Sequence, residues 1–480
     1  MRILYAASEI VPFASTGGLA DVSAGLPRAI EFINPDICRV MPLYRQVVEG
    51  GFPLRNTGLK LDIPVGFHMY RAEVWAANEP SPTTYFIRRD EFFDRSQLYS
   101  LPERDYEDNF DRFVFFQKAV VALVDVLNLR PDIVHCSDWQ TGLIPLFLRH
   151  GLQGMGRQQS ERTVFTIHNL AYQGLFPGGL YAQTNLPFFC FNMDCVEFYG
   201  NVNCIKAGIT TANVVTTVSQ TYAQEIRTEE FGCGLHGILS KMGERLIGVV
   251  HGVDYSVWDP ANDPHLAAQY DAADLNGKKA CKEDLCTQLG LNLRPETPLL
   301  GMVTRLVDQK GLDILAQAMP ELMKRDIGLV VLGVGQEKYQ QLCRQWAEQW
   351  PGRFAVRLTF DTPLAHKIEA GADIYLMPSR FEPCGLNQLY SLRYGTLPVV
   401  HSTGGLEDTV EDIVGDPGRG NGFKFRSYTP EGLVHAVNRA LAAYQQADNW
   451  RLLIQSAMQK DFSWSRAADE YMGIYRRLLS

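Results

Sequence analysis

The sequence predicts an α/β protein with two doubly wound domains, in which helices cover both faces of a mostly parallel sheet. Short apolar or β-branched runs alternate along the chain with segments of helical spacing. This alternation breaks at residues 247–260 and starts again at residue 299. The chain has 480 residues, of which 46% are hydrophobic, so each half is long enough to bury its own core.

The first half opens with a strand, a turn and a helix. Residues 2–8 form a nearly continuous apolar run, which is typical of a strand buried on both faces. Residues 15–18 predict a turn, and residues 19–33 carry apolar side chains at helical spacing. The alternation continues with a predicted helix at 110–127 and predicted strands at 132–135, 164–167 and 214–218.

The second half repeats this pattern after residues 259–279, which are rich in Asp, Asn, Pro and Gly and show no strand pattern. Its predicted strands are 299–303, 328–332, 355–360, 374–377 and 397–400. Its predicted helices include 312–323, 337–350 and 464–479. We therefore expect two α/β halves that divide around residue 245, followed by helices over the last 50 residues or so.

Charge and cysteine content limit the class of partner. Lys plus Arg number 45 and Asp plus Glu 54, and this net charge of −9 disfavours a nucleic-acid or anionic-membrane binder. The ten cysteines are scattered without a C-x-x-C pair and are expected to be reduced thiols. The sequence lacks both a secretory signal pattern and a long apolar window, so we expect a cytoplasmic location.

Two open α/β sheets predict a ligand cleft between them, at the carboxyl ends of the strands. Gly17 and Gly18 follow the first predicted strand, where glycines let a ligand approach the backbone and helix N–H groups favour an anion. Taken alone, these glycines are better explained by a plain strand-to-helix turn. Arg305 and Lys310 follow the predicted strand 299–303 and could bind a diphosphate, or could be two solvated surface cations.

Further polar residues follow other predicted strands. Glu382 comes after strand 374–377 and before a helix, where the helix N-terminus stabilises a carboxylate with or without a catalytic role. A second glycine turn over residues 402–406 suits a phosphate or a sugar oxygen. In the first half, Asp138 follows one strand, and His168 and Asn169 follow another. Metal-ligand spacing is absent, so we expect no required metal and no cofactor.

Taken together, these segments carry a resemblance that covers nearly the whole chain. The segments of the first half are Ser-Glu at 8–9, Thr-Gly-Gly-Leu-Ala-Asp-Val at 16–22, Asp-Trp-Gln at 138–140 and Ile-His-Asn-Leu-Ala-Tyr-Gln-Gly at 167–174. Those of the second half are Arg-Leu-x-x-Gln-Lys-Gly at 305–311, Ser-Arg-Phe-Glu-Pro-Cys-Gly-Leu at 379–386, and Tyr-Gly-Thr-Leu-Pro-Val-Val at 394–400 followed by Ser-Thr-Gly-Gly-Leu. The chain resembles the bacterial glycogen synthases and plant starch synthases.

This resemblance implies a fold, a reaction and two substrates. The fold is GT-B, with two Rossmann-like domains and an interdomain cleft. The reaction is the retaining transfer of glucose from ADP-glucose to the non-reducing 4-hydroxyl of an α-1,4-glucan, without a metal. Residues 1–245 would form the acceptor-side domain and 246–460 the nucleotide-sugar domain. Residues 461–480 would form a helix that packs back on the first domain.

The resemblance also implies roles for single residues. Arg305 and Lys310 would hold the donor diphosphate, and Glu382 would support the charge that develops at the anomeric centre. His168 would contact the sugar, and these four residues form the predicted catalytic set. The predicted substrate-binding residues are Ser15, Gly18, Asp21, Asp138, Asn169, His251, Gly385, Leu386, Thr403, Gly404, Gly405 and Leu406.

Three positions depart from the family pattern, and all lie in the first half or at the boundary. Ser15 stands where relatives usually carry Lys, and His251 where they usually carry Asn. His236 stands where they often carry an acid. Two alternatives therefore remain open at this stage. One is the same fold with another nucleotide-sugar donor or acceptor, and the other is a catalytically weak glucan-binding paralogue.

Overall fold

The computed structural model describes residues 1–101, 104–154, 161–414 and 420–480. It divides the chain into two compact units, the first formed by Met1–Gly252 with Trp464–Ser480 and the second by Val253–Ser463. The sequence had suggested boundaries at residues 245 and 460. Within the described ranges no helix is long and apolar enough to cross a membrane.

A nine-stranded sheet forms the centre of the first unit, counted over the described residues. In spatial order its strands are Leu246–Gly248, Val214–Thr217, Arg162–Ile167, Ile133–Ser137, Ile3–Ala6, Ile37–Pro42, Thr84–Arg88, His68–Ala77 and Arg55–Val65. The first seven are parallel, and the last two form an antiparallel hairpin at the sheet edge. Chain order reverses between Ile3–Ala6 and Ile133–Ser137, so a topological switch point lies between these strands.

Helices and small sheets complete the first unit. The helices are Gly18–Ile33, Arg45–Glu49, Asp90–Phe93, Asn109–Val126, Ile144–His150, Cys204–Thr211, Gln220–Glu225, His236–Ser240 and Trp464–Leu479. Leu175–Pro177, Asn201–Asn203 and Glu197–Phe198 form a small sheet, and Ser100–Leu101 pairs with Arg104–Asp105. These additions lie around the larger sheet rather than extending it.

The second unit has a six-stranded, fully parallel sheet in the described residues. In spatial order its strands are Phe354–Arg357, Gly328–Leu332, Leu299–Val303, Ile374–Met377, Leu397–His401 and Phe423–Phe425. Its helices are Asn276–Leu289, Leu312–Leu322, Glu337–Gln349, Thr362–Gly371, Asn387–Arg393, Gly404–Thr409, Pro430–Tyr444 and Ala447–Met458. Chain order reverses between Leu299–Val303 and Ile374–Met377, which places a second switch point there.

Some predicted strands are longer in the sequence analysis than in the structure, among them those at 2–8 and 355–360. The strand expected at 355–360 is Phe354–Arg357, and Phe360 is 82% exposed. The apolar character of Phe360 therefore does not reflect burial, and Leu358, which lies beyond the strand, is only partly buried. Such residues mislead a pattern-based prediction because single apolar side chains are common on protein surfaces.

The last helix belongs to the first unit. Trp464 packs so closely on the helix Gly18–Ile33 that a Cβ at Gly25 would overlap its indole ring. Further along the same helix, Tyr475 makes a 2.6 Å hydrogen bond through its hydroxyl to Nδ1 of the buried His135. The helix therefore packs on the middle of a central strand, Ile133–Ser137, and contributes to the core of the first unit.

Candidate active site

Two loops meet at the switch point of the second unit. The chain leaves strand Leu299–Val303 toward Lys310, and it leaves strand Ile374–Met377 toward Glu382. Nζ of Lys310 lies 2.5 Å from Oε2 of Glu382, and their side chains are only 17% and 8% exposed. The alternative of two solvated cations therefore does not hold for Lys310, because it forms a largely buried ion pair.

Backbone contacts hold these two loops together. The N–H of Arg380 donates to the carbonyl oxygen of Gln309 at 2.8 Å, and Nε2 of Gln309 donates to the carbonyl oxygen of Phe381 at 3.1 Å. Gly311 has φ +75°, and a Cβ there would overlap the carbonyl oxygen of Pro378. Glycine is required at this position because it combines a left-handed conformation with close backbone packing.

Ser379 was not among the predicted site residues, but it contacts Glu382 directly. Its hydroxyl donates to Oε2 of Glu382 at 3.0 Å, so the same carboxylate oxygen receives both Ser379 and Lys310. These two charge-assisted hydrogen bonds hold the carboxylate in one orientation. The sequence signal was available, because Ser379 opens the segment that carries Glu382.

The second glycine turn supports the backbone of Glu382. Gly404 has φ +45°, and a Cβ there would overlap the carbonyl oxygen of Glu382. The N–H of Gly405 donates to the carbonyl oxygens of Glu382 and Pro383, each at 3.1 Å. The N–H of Leu406 donates to the carbonyl oxygen of Thr403 at 3.0 Å. The amides of Gly405 and Leu406, which the sequence suggested as donors to a ligand, therefore bind protein carbonyls in this structure.

The other predicted residues of the second unit differ in accessibility. Arg305 is exposed on the loop after strand Leu299–Val303, whereas Thr403 is buried. The side chain of Leu386 packs against Val253 and Tyr390, and Leu406 belongs to a hydrophobic cluster with other buried residues. Gly385, which precedes Leu386 in the chain, has a φ of +74°. The two leucine side chains thus stabilise the fold.

Asp138 follows strand Ile133–Ser137 beside the switch point of the first unit, and His168 follows the neighbouring strand Arg162–Ile167. Asp138 has an unusual φ of +59°, and its Oδ1 accepts the backbone N–H of His168 at 2.8 Å. Although Asp138 as a residue is half-buried, its carboxyl group is enclosed, and this desolvation raises its pKa to about 7. Positive φ at a non-glycine residue is a form of strain that is concentrated at functional sites.

Two buried imidazoles, those of His168 and His251, lie next to each other. Desolvation lowers the pKa of His168 to about 3, and burial and His168 lower that of His251 well below its usual value. Their ring centroids are 5.5 Å apart. Both ring nitrogens of His168 lack a hydrogen-bond partner among the described residues, and so does Nε2 of His251. Both rings are therefore neutral at physiological pH, with nitrogens that can bind a ligand.

We expect Asp138→Asn to change how stability depends on pH. Because the folded-state pKa of Asp138 lies above that of an ordinary Asp, the wild type loses stability as pH rises from about 4 to about 7. The variant lacks this loss, and its melting temperature should exceed that of the wild type increasingly toward pH 8. Thermal melts at several pH values test this, with the exposed Asp36→Asn as control. Parallel curves for Asp138→Asn and wild type would contradict the assignment.

Glu9 holds the first glycine turn in place. Its buried carboxylate accepts hydrogen bonds from the N–H and the hydroxyl of Thr16, and from the hydroxyl of Tyr99 at 2.7 Å. Burial raises the pKa of Glu9. Ser15 and Gly18, on either side of this contact, are exposed. Sequence reasoning did not assign Glu9 a role, although the Ser-Glu pair at 8–9 was part of the pattern.

Three further residues singled out in the sequence, Asp21, Asn169 and His236, each have a local environment of their own. Asp21 lies in the first turn of helix Gly18–Ile33, and desolvation and the Glu9 carboxylate raise its pKa to about 6 although its surface is accessible. Asn169 uses its side-chain oxygen to accept the N–H of Ala171 at 3.1 Å. His236 begins the short helix His236–Ser240. In the described ranges no group of three or more His, Cys, Asp or Glu could hold a metal ion.

Comparison with known proteins gives the family. A family model described as the starch synthase catalytic domain matches residues 2–241, and one described as glycosyl transferases group 1 matches residues 290–452. A glycogen synthase from Anaeromyxobacter sp. (strain Fw109-5) is 46% identical over 100% of this chain and 99% of its own length. The chain belongs to the glycogen and starch synthase family. Glycogen synthase 2 from Geobacter sulfurreducens is 42% identical over 99% of this chain and 98% of its own.

A solved structure of this glycogen and starch synthase family confirms the fold. The catalytic domain of starch synthase IV from Arabidopsis thaliana, bound to ADP and acarbose, matches with a TM-score of 0.91 and 33% identity. The match covers 100% of this chain and 99% of that domain. The predicted GT-B fold and glycosyltransferase class are thereby confirmed. The relatives support the glycogen or starch synthase activity and give no support to the alternatives.

Proposed function

We propose that this glycosyltransferase transfers glucose, with retention of the anomeric configuration, from ADP-glucose to the non-reducing 4-hydroxyl of an α-1,4-glucan. The observation that carries this proposal is the buried Lys310–Glu382 pair at the switch point of the second unit. The ligands of the Arabidopsis relative, ADP and acarbose, support the choice of a nucleotide sugar and a glucan. A cytoplasmic location stays a prediction.

The Lys310–Glu382 pair suits the charges that glycosyl transfer creates. In an oxocarbenium-like transition state the sugar gains positive charge, while the departing diphosphate gains negative charge. The Glu382 carboxylate would face the first charge, and Lys310 with Arg305 would face the second. Because Lys310 pairs with Glu382, neither buried charge is left uncompensated.

His168 suits a neutral contact with the transferred sugar. Its ring nitrogens have no partner among the described residues, and its lowered pKa keeps the ring uncharged. A neutral imidazole can donate to one sugar hydroxyl or accept from another without repelling a positively charged sugar ring. The backbone N–H of His168, held by Asp138, fixes the position from which the ring projects.

The decisive experiment is an assay of the purified protein with glycogen and two donors. ADP-glucose should give elongation of the glucan, with ADP release and new α-1,4 linkages seen by proton NMR. UDP-glucose should give much slower transfer or none. Turnover of UDP-glucose alone would replace the proposed donor, and glycogen binding without turnover of either donor would favour the binding-protein alternative.

We expect Ser15→Lys to raise kcat/KM for ADP-glucose. Ser15 is exposed, so a longer side chain fits there without displacing core residues. A cation next to the donor phosphates would add a charge-assisted hydrogen bond, and each recovered 1.4 kcal/mol corresponds to about a tenfold increase. Initial rates over a range of ADP-glucose concentrations measure the effect.

Two further variants complete this test. Ser15→Gln has similar length to Lys without its charge, so it should not reproduce the gain. Combining Ser15→Lys with His251→Asn should raise kcat/KM further, but by a smaller factor, because a neutral hydrogen bond is weaker than a charged one. A loss of activity in both Ser15→Lys and the double variant would mean that Ser15 and His251 are adapted to another donor or acceptor.

A further inference from the structure

Residues 304–311, which we call the donor loop, carry the two cations proposed to bind the diphosphate. The loop follows strand Leu299–Val303 and lies beside the segment that follows the neighbouring strand, Gly328–Leu332. The proposed mechanism gives no role to this segment or to the helix Glu337–Gln349 that it leads into. Contacts between this segment, the helix and the donor loop bear directly on where the two cations lie.

Main-chain contacts fix the first part of the donor loop. The N–H of Leu306 donates to the carbonyl oxygen of Val334 at 2.9 Å, and the N–H of Gln336 donates to the carbonyl oxygen of Leu306 at 2.8 Å. A Cβ at Gly335 would overlap the same carbonyl oxygen, so the two segments are in direct backbone contact. This part of the donor loop is therefore held by the main chain alone.

A side chain anchors the second part of the donor loop. Tyr339, in the first turn of helix Glu337–Gln349, is only 5% exposed, and its hydroxyl donates to Oδ1 of Asp308 at 2.6 Å. An ionised carboxylate can only accept, so the direction of this hydrogen bond is fixed. Asp308 begins the short 3-10 turn Asp308–Lys310. The hydroxyl of Tyr339 therefore holds one end of the turn whose other end is Lys310.

Core packing explains the ring of Tyr339 but not its hydroxyl. The ring belongs to the hydrophobic core of the second unit, together with Leu306 and Leu312. A phenylalanine ring would fill the same space. The hydroxyl reaches the carboxylate of Asp308, whose side chain is 59% exposed, so it adds a contact to the donor loop rather than further burial.

We propose that Tyr339 is a positioning residue for the donor diphosphate, because its hydroxyl holds Asp308 and thereby the turn that places Lys310. The kinetic consequence rests on the proposed function. A loop that is fixed before the ligand binds loses less conformational freedom on binding, and a cation in a fixed position is already oriented toward the reacting group. Without the hydroxyl, the turn would also adopt positions in which Lys310 does not meet the diphosphate.

Both partners keep their protonation states around neutral pH. Hydrogen bonds from Lys338 and Tyr339 lower the pKa of Asp308 to about 2. Desolvation and the Asp308 carboxylate raise the pKa of Tyr339 above its usual value. The hydrogen bond is therefore present throughout the pH range of an activity assay. Lys338 adds an exposed ion pair to the same carboxylate, and such pairs contribute little.

The first test is Tyr339→Phe, which removes the hydroxyl and keeps the ring. The value of kcat/KM for ADP-glucose should fall about tenfold, and the Kd for ADP should rise by a similar factor, because Lys310 is less well placed for the diphosphate. The KM for glycogen should not change, since the donor loop is proposed to bind the diphosphate and not the acceptor. Initial rates with each substrate varied in turn, and calorimetry with ADP, measure these quantities.

Tyr270→Phe is the matched control. Tyr270 lies in the same unit, is also 5% exposed, and donates through its hydroxyl to the carbonyl oxygen of Tyr394 at 2.8 Å. Both variants should lower the melting temperature slightly, but only Tyr339→Phe should weaken ADP binding. Equal ADP affinities in the two variants and the wild type would overturn the positioning role.

A double-mutant cycle with Asp308→Ala shows whether Tyr339 and Asp308 act as a unit. Asp308 is exposed, so this variant removes the acceptor without disturbing the core, and it remains measurable if Tyr339→Phe folds poorly. Each single variant and the double variant should lower kcat/KM for ADP-glucose by nearly the same factor, because each loses the same hydrogen bond. Effects that multiply in the double variant would mean that the two residues act independently, which would overturn the proposal.

Hydrogen–deuterium exchange examines the donor loop without any substrate. The backbone amides of residues 304–311 should exchange faster in Tyr339→Phe than in the wild type, and Tyr270→Phe should leave their exchange unchanged. Unchanged exchange of this segment in Tyr339→Phe would overturn the proposal. If the wild type transfers no glucose from any donor, the proposed function fails, while the exchange result still decides whether Tyr339 holds the donor loop.

Discussion

Replacing Glu382 by glutamine is expected to lower kcat by a factor of about 100 to 1,000, the effect of removing one electrostatic contact to a transition state. The glutamine has the same shape and can still accept from Ser379, but it leaves Lys310 without its counter-charge. The donor KM should change far less than kcat, because the carboxylate is needed where positive charge develops. Initial rates as a function of ADP-glucose concentration separate these two parameters.

The control for this prediction is Glu321→Gln. Glu321 is 46% exposed and pairs with Lys324 on the surface of the same unit, so its loss should leave both kinetic parameters near wild type. An effect of Glu382→Gln that is confined to KM would make Glu382 a binding residue for the ground state. Melting curves of both variants show whether the fold is retained.

Replacing Lys310 by alanine is expected to lower kcat/KM for ADP-glucose about 100-fold. The side chain is only 17% exposed, and a hydrogen bond to a charged group contributes about 1.5–3 kcal/mol in such surroundings. The variant removes a cation from the donor diphosphate and also leaves the Glu382 carboxylate buried without its partner. ADP binding, measured by calorimetry, should therefore weaken together with turnover.

Lys338→Ala provides a matched comparison for Lys310→Ala. Lys338 also forms a lysine–carboxylate pair, at 2.5 Å from Asp308, but its side chain is 58% exposed. Exposed pairs contribute about 0–1 kcal/mol, so turnover should stay within a few-fold of wild type. Near-wild-type transfer by Lys310→Ala would refute the assignment of Lys310 to the diphosphate.

The sequence was most informative where strands are buried on both faces. Leu299–Val303, Gly328–Leu332 and Ile374–Met377 agree with the predicted limits because such strands are continuous apolar runs. The edge hairpin Arg55–Val65 with His68–Ala77 was not predicted, since one of its faces is exposed and its apolar residues are interrupted. Its pattern is weaker than that of a central strand.

The helix Asn276–Leu289 was missed for a related reason. It buries Cys281, Leu285 and Leu289, but two further buried positions are Lys278 and Lys282. Nζ of Lys282 is 2.7 Å from Oδ2 of Asp373, so a charged residue takes a place that periodicity assigns to an apolar one. A buried lysine whose partner lies far away in sequence is invisible to a hydrophobic pattern.

The candidate site was only partly accessible from sequence. Arg305, Lys310 and Glu382 could be placed at strand ends, because topology brings the ends of parallel strands to one edge. The Lys310–Glu382 ion pair could not be predicted, since 72 residues separate its members. The amides of the second glycine turn were expected to face a ligand. The N–H of Gly405 instead donates to carbonyl oxygens of the Glu382 loop.

The final helix makes the first unit discontinuous in the chain. Its residues Trp464 and Tyr475 are synthesised only after the entire second unit, whereas the surfaces they cover, at Gly25 and His135, leave the ribosome early. Domains that are continuous in sequence can complete their folding during synthesis. Here the first unit can be completed only after the second unit has been synthesised. A nascent or truncated chain without this helix would expose the apolar surface around His135 to chaperones and aggregation, although every proposed site residue is already present.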